Sequence, residues 1–270
     1  VVSAKEGLLL ESYTLSDMPL LTDLSLNEMS KIATLTEIII NITPGEGKHS
    51  HVTDRMQRLL GRHCKKLAKV VYTGALWLTD AGLLSLVNNC KDLSNLCIGM
   101  AHKTITGTIG FSIMERGPTD KVLVACLQKL TKLKTLKIIN AYRLQLSKNK
   151  FVHDILNPNV LSKILKECVL DDLGFVNCEN LKVDGFKKLI STVLQASIRV
   201  VDVSGCPNVT HSDISEIISA KPYYGFSNTH NGFAPLHKKF KLQDEFTTRL
   251  NRRTAMCIHI ARYYRGDKGR

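Results

Sequence analysis

The sequence predicts an α/β solenoid, with parallel strands on one face and helices on the other, followed by a basic C-terminal α-helix. Three observations carry this prediction. Apolar residues return in five registers that share the same internal offsets. Each clear register is followed by an apolar spacing that suits one face of a short helix. Residues 237–270 combine basic and apolar side chains at helical spacing, with no Pro or Gly between Phe240 and Gly266.

In chain order, residues 1–15 read as an N-terminal extension and residues 16–220 as the solenoid. Its start is irregular: Leu21, Leu24, Leu26 and Leu35, Ile38, Ile40 both look like strands but lie only 14 residues apart. One of the two need not be a repeat strand. The regular part begins at Cys64, with apolar residues at offsets three, six and eight and a small residue at offset eleven. The registers are Cys64, Leu67, Val70, Tyr72, Ala75, then Cys90, Leu93, Leu96, Ile98, Ala101, then Leu130, Leu133, Leu136, Ile138, Ala141. Two more follow: Leu170, Leu173, Phe175, Cys178, and Ile198, Val201, Val203, Cys206. Residues two apart, such as Leu96 and Ile98, share one face of a strand.

After the small position the chain reads as a helix, for instance Leu78-Thr79-Asp80-Ala81-Gly82-Leu83 and then Leu86. Thr79, Asp80 or Thr210 would cap a helix start by accepting its exposed backbone N–H groups. Each strand–helix unit is too small to bury its own apolar face, so the units must stack, strand beside parallel strand. The register spacing stretches to 40 residues after Cys90 and to 37 after Leu130, by insertions at Ala101–Thr119 and Arg143–Asn159. Insertions in stacked repeats gather on one face, which makes Met114, Glu115, Arg116, Lys148 and Lys150 candidate contact residues. The competing reading is of surface loops without a task. Residues 221–236, rich in Gly, Pro, Asn and His, read as a linker or cap.

These units resemble the cysteine-containing leucine-rich repeat, with its pattern C-x-x-L-x-x-L-x-L-x-x-C-x-x-[LIV]-T-D-x-G-L. The segments Cys64 to Leu86 and Ile198 to Ile217 carry the resemblance most clearly, and it extends over roughly residues 16–218. It implies a leucine-rich-repeat solenoid that binds other proteins. The family includes F-box proteins that select substrates for ubiquitination and scaffold proteins of the ciliary axoneme.

Phe246, Leu250, Cys257, Ile260 or Ala261, and Tyr264 fall on one stripe of the expected C-terminal helix, opposite Arg249, Arg252, Arg262 and Arg265. Ile260, Arg262, Tyr264, Arg265, Gly266 and Arg270 lie in a segment that resembles an IQ motif, with Ala261 where the motif has Gln. That resemblance implies calmodulin or a calmodulin-like light chain as partner. The alternative is a basic helix that docks on the last repeat or on another subunit.

Charge and chemistry narrow the function classes. The net charge is +13, and residues 237–270 carry ten Lys or Arg against Asp244, Glu245 and Asp267. Such a tail attracts acidic partners of any kind. The chain is 6% aromatic, with no basic–aromatic alternation, so a nucleic-acid platform is not expected. The eight cysteines form no Cys-x-x-Cys pair and sit in apolar runs, as expected of buried thiols in a reducing, intracellular setting such as cytoplasm, cytoskeleton or axoneme. His49 and His51 have no third ligand nearby, and Gly45-Glu46-Gly47-Lys48-His49 lacks the glycine and hydroxyl of a phosphate loop. No nucleophile elbow or carboxylate pair is found, so neither enzyme activity nor a cofactor or metal is expected. No apolar run is long enough to span a membrane, and Val1–Ser12 lacks the features of a signal peptide. Val1 is not an initiating Met, which fits a segment of a longer protein.

Overall fold

The computed structural model describes residues 10–18, 22–42, 53–75, 77–101, 116–147, 151–193, 198, 200–210, 212–214, 216, 224–228 and 256–260. Among these, nine strands form one sheet in which every neighbouring pair is parallel. The strands are β1 (Ser12–Ser16), β2 (Glu37–Asn41), β3 (Lys69–Ala75), β4 (Asn95–Met100), β5 (Thr135–Ile139), β6 (Asp172–Val176), β7 (Val200–Asp202), β8 (Tyr224–Asn228) and β9 (Met256–Ile260). They lie side by side in chain order as far as β7, after which β9 pairs with β7 and β8 takes the edge.

Alternation explains which side chains go inward. On β2, Ile38 and Ile40 are buried while Glu37, Ile39 and Asn41 are only half-buried, and β3, β5 and β7 open with the same pattern. Every register position named from the sequence, from Cys64 to Cys206, lies in the core. Those five strands are adjacent and parallel, as stacking requires.

Helices cover the inward face. They are α1 (Asp23–Ser30), α2 (Arg55–His63), α3 (Asp80–Asn89), α4 (Asp120–Lys129), α5 (Phe151–Leu156), α6 (Pro158–Glu167) and α7 (Val183–Lys188), the last running into a π-helical turn over Leu189–Val193. Leu83, Leu86 and Val87 of α3 and Val122, Leu123 and Cys126 of α4 meet the strands in one continuous core. Helix ends are closed by backbone bonds from the register residue itself: Cys64 N–H donates to Leu60 O at 2.8 Å, and Cys90 N–H to Leu86 O at 2.9 Å.

Two sets of polar bonds cross from unit to unit. The first runs along the helix N-termini, where Thr-Asp pairs recur at residues 22–23, 53–54, 79–80 and 119–120. Asp23 accepts from the Thr53 N–H (2.9 Å) and hydroxyl (2.5 Å), Asp54 from the same two groups of Thr79, and Asp80 from those of Thr119 (2.8 and 2.6 Å). Each threonine oxygen also caps its own helix, as Thr79 Oγ1 does for Ala81 N–H at 3.2 Å. Asp120 ends the series by accepting from the N–H groups of Gln145, Leu146 and Ser147. The second set is thiol-to-carbonyl: Cys64 Sγ donates to Ser30 O (3.3 Å), Cys90 Sγ to Cys64 O (3.5 Å) and Cys206 Sγ to Phe175 O (3.0 Å).

Several sequence expectations are corrected. The strand Ser12–Ser16 begins inside the expected extension, because Tyr13 and Leu15 pack on the core while Ser12, Thr14 and Ser16 face outward. Residues Leu24 and Leu26 lie on α1 and not on a strand, and Leu24 is exposed. Of the helix expected over 237–270, the described part, Met256–Ile260, is instead extended and paired on both sides. The physical reason is the open edge of β7, whose unpaired N–H and C=O groups recruit a segment in which Ile258 and Ile260 alternate with Cys257 and His259. Tyr224–Asn228, inside the expected linker, is likewise a strand, and the rest of residues 229–270 lies outside the described set.

Candidate interaction surface

The helices occupy one face of the sheet, and the outward side chains of β2 to β7 make up the other. The register between strands sets these residues in rows. One row runs Glu37, Lys69, Asn95, Thr135, Asp172 and Val200. The next runs Ile39, Val71, Cys97, Lys137, Gly174 and Asp202, and beyond it Gly99, Ile139 and Val176 are register partners.

The rows differ in character. Ile39, Val71 and Cys97 form an apolar run across β2 to β4, and Ile139 and Val176 a second across β5 and β6, all half-buried. Two ion pairs flank them: Lys69 Nζ lies 2.8 Å from Glu37 Oε1, and Lys137 Nζ lies 3.6 Å from Asp172 Oδ2. Gly99 and Gly174 also stand in these rows, both buried under close neighbours. A Cβ at position 99 would lie 2.9 Å from Tyr72 O, and one at 174 would lie 3.1 Å from Lys137 Cγ. Thr73 and Asn41 add a side-chain hydrogen bond at 2.9 Å.

Burial pushes the Cys97 thiol up, and Asp172 adds to the shift while Lys137 opposes it. A thiol so placed stays protonated near neutrality and is a poor nucleophile. Burial also raises Cys64 to about 11 and Cys90 and Cys126 to about 12. Among the described residues no group of three His, Cys, Asp or Glu is placed to hold a metal ion. No helix among them is long and apolar enough to cross a membrane.

The contact loops expected from the insertions are only partly described. Arg116 is exposed, whereas Met114, Glu115, Lys148 and Lys150 lie outside the described residues. The second insertion is no simple loop: Leu144, Leu146 and Ile155 are fully buried, and α5 occupies its middle. Of the IQ-like residues, Ile260 ends β9, while Arg262, Tyr264, Arg265, Gly266 and Arg270 lie outside the described set. The sheet-face residues were not singled out from the sequence. Their signal is the odd offsets of each register, since Val71, Cys97 and Lys137 all stand at offset seven.

No protein-family model and no curated protein matches the chain. Among solved structures it is similar to a chain in the crystal structure of the Rad7 and Elc1 complex in yeast, at 15% identity and a TM-score of 0.55. The match covers 82% of this chain and 50% of that one, so this chain spans half the length of the chain it matches. At this identity the likeness is one of fold.

Proposed function

We propose that the chain is a non-enzymatic protein–protein interaction scaffold, a leucine-rich-repeat solenoid that receives a partner on the outward face of β2 to β6. One observation carries the reading. Parallel sheets are ordinarily covered on both faces, and here helices cover one while the other presents half-buried Ile39, Val71, Cys97, Ile139 and Val176. The fold likeness to a chain crystallised in a two-protein complex supports it. A reducing compartment suits the seven described thiols, all of them free.

Within this class, the axonemal expectation leaned on a C-terminal helix with a calmodulin-like partner, and Met256–Ile260 in that segment is a strand. The substrate-receptor expectation needs no such helix, and recovery of a Skp-type adaptor with the protein tests it. The scaffold reading itself is tested by placing a photo-crosslinking residue at Val71 and, separately, at Lys121 on the exposed side of α4. A defined partner should crosslink from position 71 and be lost when Ile139→Arg is added. Equal crosslinking from both positions, or indifference to I139R, would sink the proposal.

A further inference from the structure

We propose that the C-terminal ends of the helices form a second docking surface, a ridge of cations that receives an acidic polypeptide segment of a partner. It is separate from the sheet face and does not depend on it.

The ridge is visible in the sequence only once the units are stacked. Four helices carry basic residues near or just past their C-terminal ends: Arg62 and Lys65 for α2, Lys91 for α3, Lys129 for α4, and Lys163 and Lys166 for α6. All six are exposed. Contacts place them side by side. Lys65 Nζ donates to Asn89 Oδ1 at 3.2 Å, linking α2 to α3, and Lys129 Nζ donates to Asn88 Oδ1 at 2.6 Å, linking α4 to α3. Helix α3 packs on α4 and α4 on α6, and the pKa of the Lys91 ammonium is lowered first by partial burial and further by repulsion from Lys129 and Lys163. Among the described residues the acids near this edge are Asp92, already bound by Lys132 at 2.5 Å, Glu167, and Asp154, which lines one pocket with Lys129.

Some positive charge at helix C-termini has an internal use. Lys65 Nζ donates to Gly61 O at 2.5 Å and Lys91 Nζ to Val87 O at 3.0 Å, satisfying carbonyls that the helix leaves open. A helix end calls for about half a unit charge, however, and α2 brings Arg62 and Lys65 to its end, while α6 carries Lys166 in its last turn and Lys163 about a turn earlier. Among the described residues no ion pair engages any of the six cations.

The spacing favours an acidic polypeptide over other polyanions. Packed helices stand about 8–10 Å apart, so the ridge offers cations at intervals that an acid at every third residue of an extended chain would match, at about 3.3 Å per residue. Duplex DNA presents a charge about every 1.7 Å along its axis, and most of those would go unmatched. Single-strand readers set aromatic rings between their cations, and none of the six residues has an aromatic neighbour in sequence. A membrane surface needs apolar side chains to insert. Among the described residues the exposed large hydrophobics are Leu10, Met18, Leu24 and Val169, and only Val169 adjoins the ridge.

The test uses the full chain and a labelled Glu/Asp-rich peptide of about 20 residues, long enough to span four helices when extended. Fluorescence polarisation is read for the wild-type chain, for a ridge variant (Lys91→Gln, Lys129→Gln, Lys163→Gln, Lys166→Gln) and for a tail variant (Arg249→Gln, Arg252→Gln, Arg253→Gln, Arg262→Gln). The ridge variant should bind about tenfold or more weakly and the tail variant less than about threefold. Should the ridge variant fail to fold, the pair Lys163→Gln and Lys166→Gln replaces it, with an expected loss of about threefold. The proposal is overturned if the ridge variant binds like wild type or if the tail variant loses more. It is also overturned if duplex DNA or phosphatidylserine vesicles bind more tightly than the peptide through the same lysines.

Discussion

Asp54 shows how much one side chain does in this fold. Its carboxylate accepts from both the N–H and the hydroxyl of Thr79, joining the start of α2 to the start of α3. Removing it leaves two donors at a half-buried junction, so Asp54→Ala should cost about 1–3 kcal/mol in urea unfolding. Thr79→Val removes the same bonds from the other side, so the double variant should fall short of additivity by about 1 kcal/mol. Full additivity would mean that the two residues act independently. The thiols make a second residue-scale prediction. Cys64, Cys90 and Cys126 ionise only at about 11 or 12 in the folded chain, against 9.0 for an ordinary thiol. The folded state therefore holds these protons after the unfolded state has lost them. Stability attributable to the thiols is whole below about pH 9 and falls as pH rises toward 11–12. Urea midpoints measured on both sides of pH 9 should show the decline, and a Cys64→Ala, Cys90→Ala, Cys126→Ala variant should flatten it.

At the scale of elements, what was legible in the sequence was what burial constrains. Leu96 and Ile98 must be apolar because they face the helices, and the same holds in every register, so alignment finds the inward positions. The outward positions obey no such demand. Glu37 and Lys69 are 32 residues apart, and only the strand register reveals that they form a pair on the candidate binding face. In the first unit the spacing left open which of two runs is the strand, because Leu24 and Leu26 fit a strand as easily as a helix; Thr22-Asp23 before them is a helix-start signal of the kind seen again at Thr79-Asp80. The last strand was misread for a different reason. Local spacing cannot show that β7 offers an open edge, and pairing on both sides outweighs a weak helical stripe. The strand should be visible in solution. Carbon chemical shifts at Met256–Ile260 should be those of extended backbone, and the amides of this segment should exchange slowly. Helical shifts there would restore the original C-terminal helix.

The whole molecule is a series of near-neighbour contacts, and its unfolding should follow from that. Each junction is crossed by β-ladder bonds, and most by an Asp–Thr pair or a thiol bond as well, while α2 meets α3, α3 meets α4 and α4 meets α6 in turn. Units so linked stabilise one another only through those junctions. The position of a lesion should then matter as much as its chemistry. Ile38→Ala near one end and Leu136→Ala in the middle both empty fully buried sites and should each cost about 2–5 kcal/mol locally. Their reach should differ. Native-state hydrogen exchange in Ile38→Ala should quicken in β1 and β2 and leave β5 and β6 at wild-type rates, because an end unit can fray alone. In Leu136→Ala, β4 and β6 should both quicken, and the urea transition should broaden as the two halves lose their coupling. If both variants instead accelerate exchange evenly along the sheet, the chain unfolds as one cooperative block, and the nearest-neighbour description fails. The placement of the bonds argues against that outcome, since the Asp–Thr and thiol–carbonyl bonds described above each end on the adjacent unit.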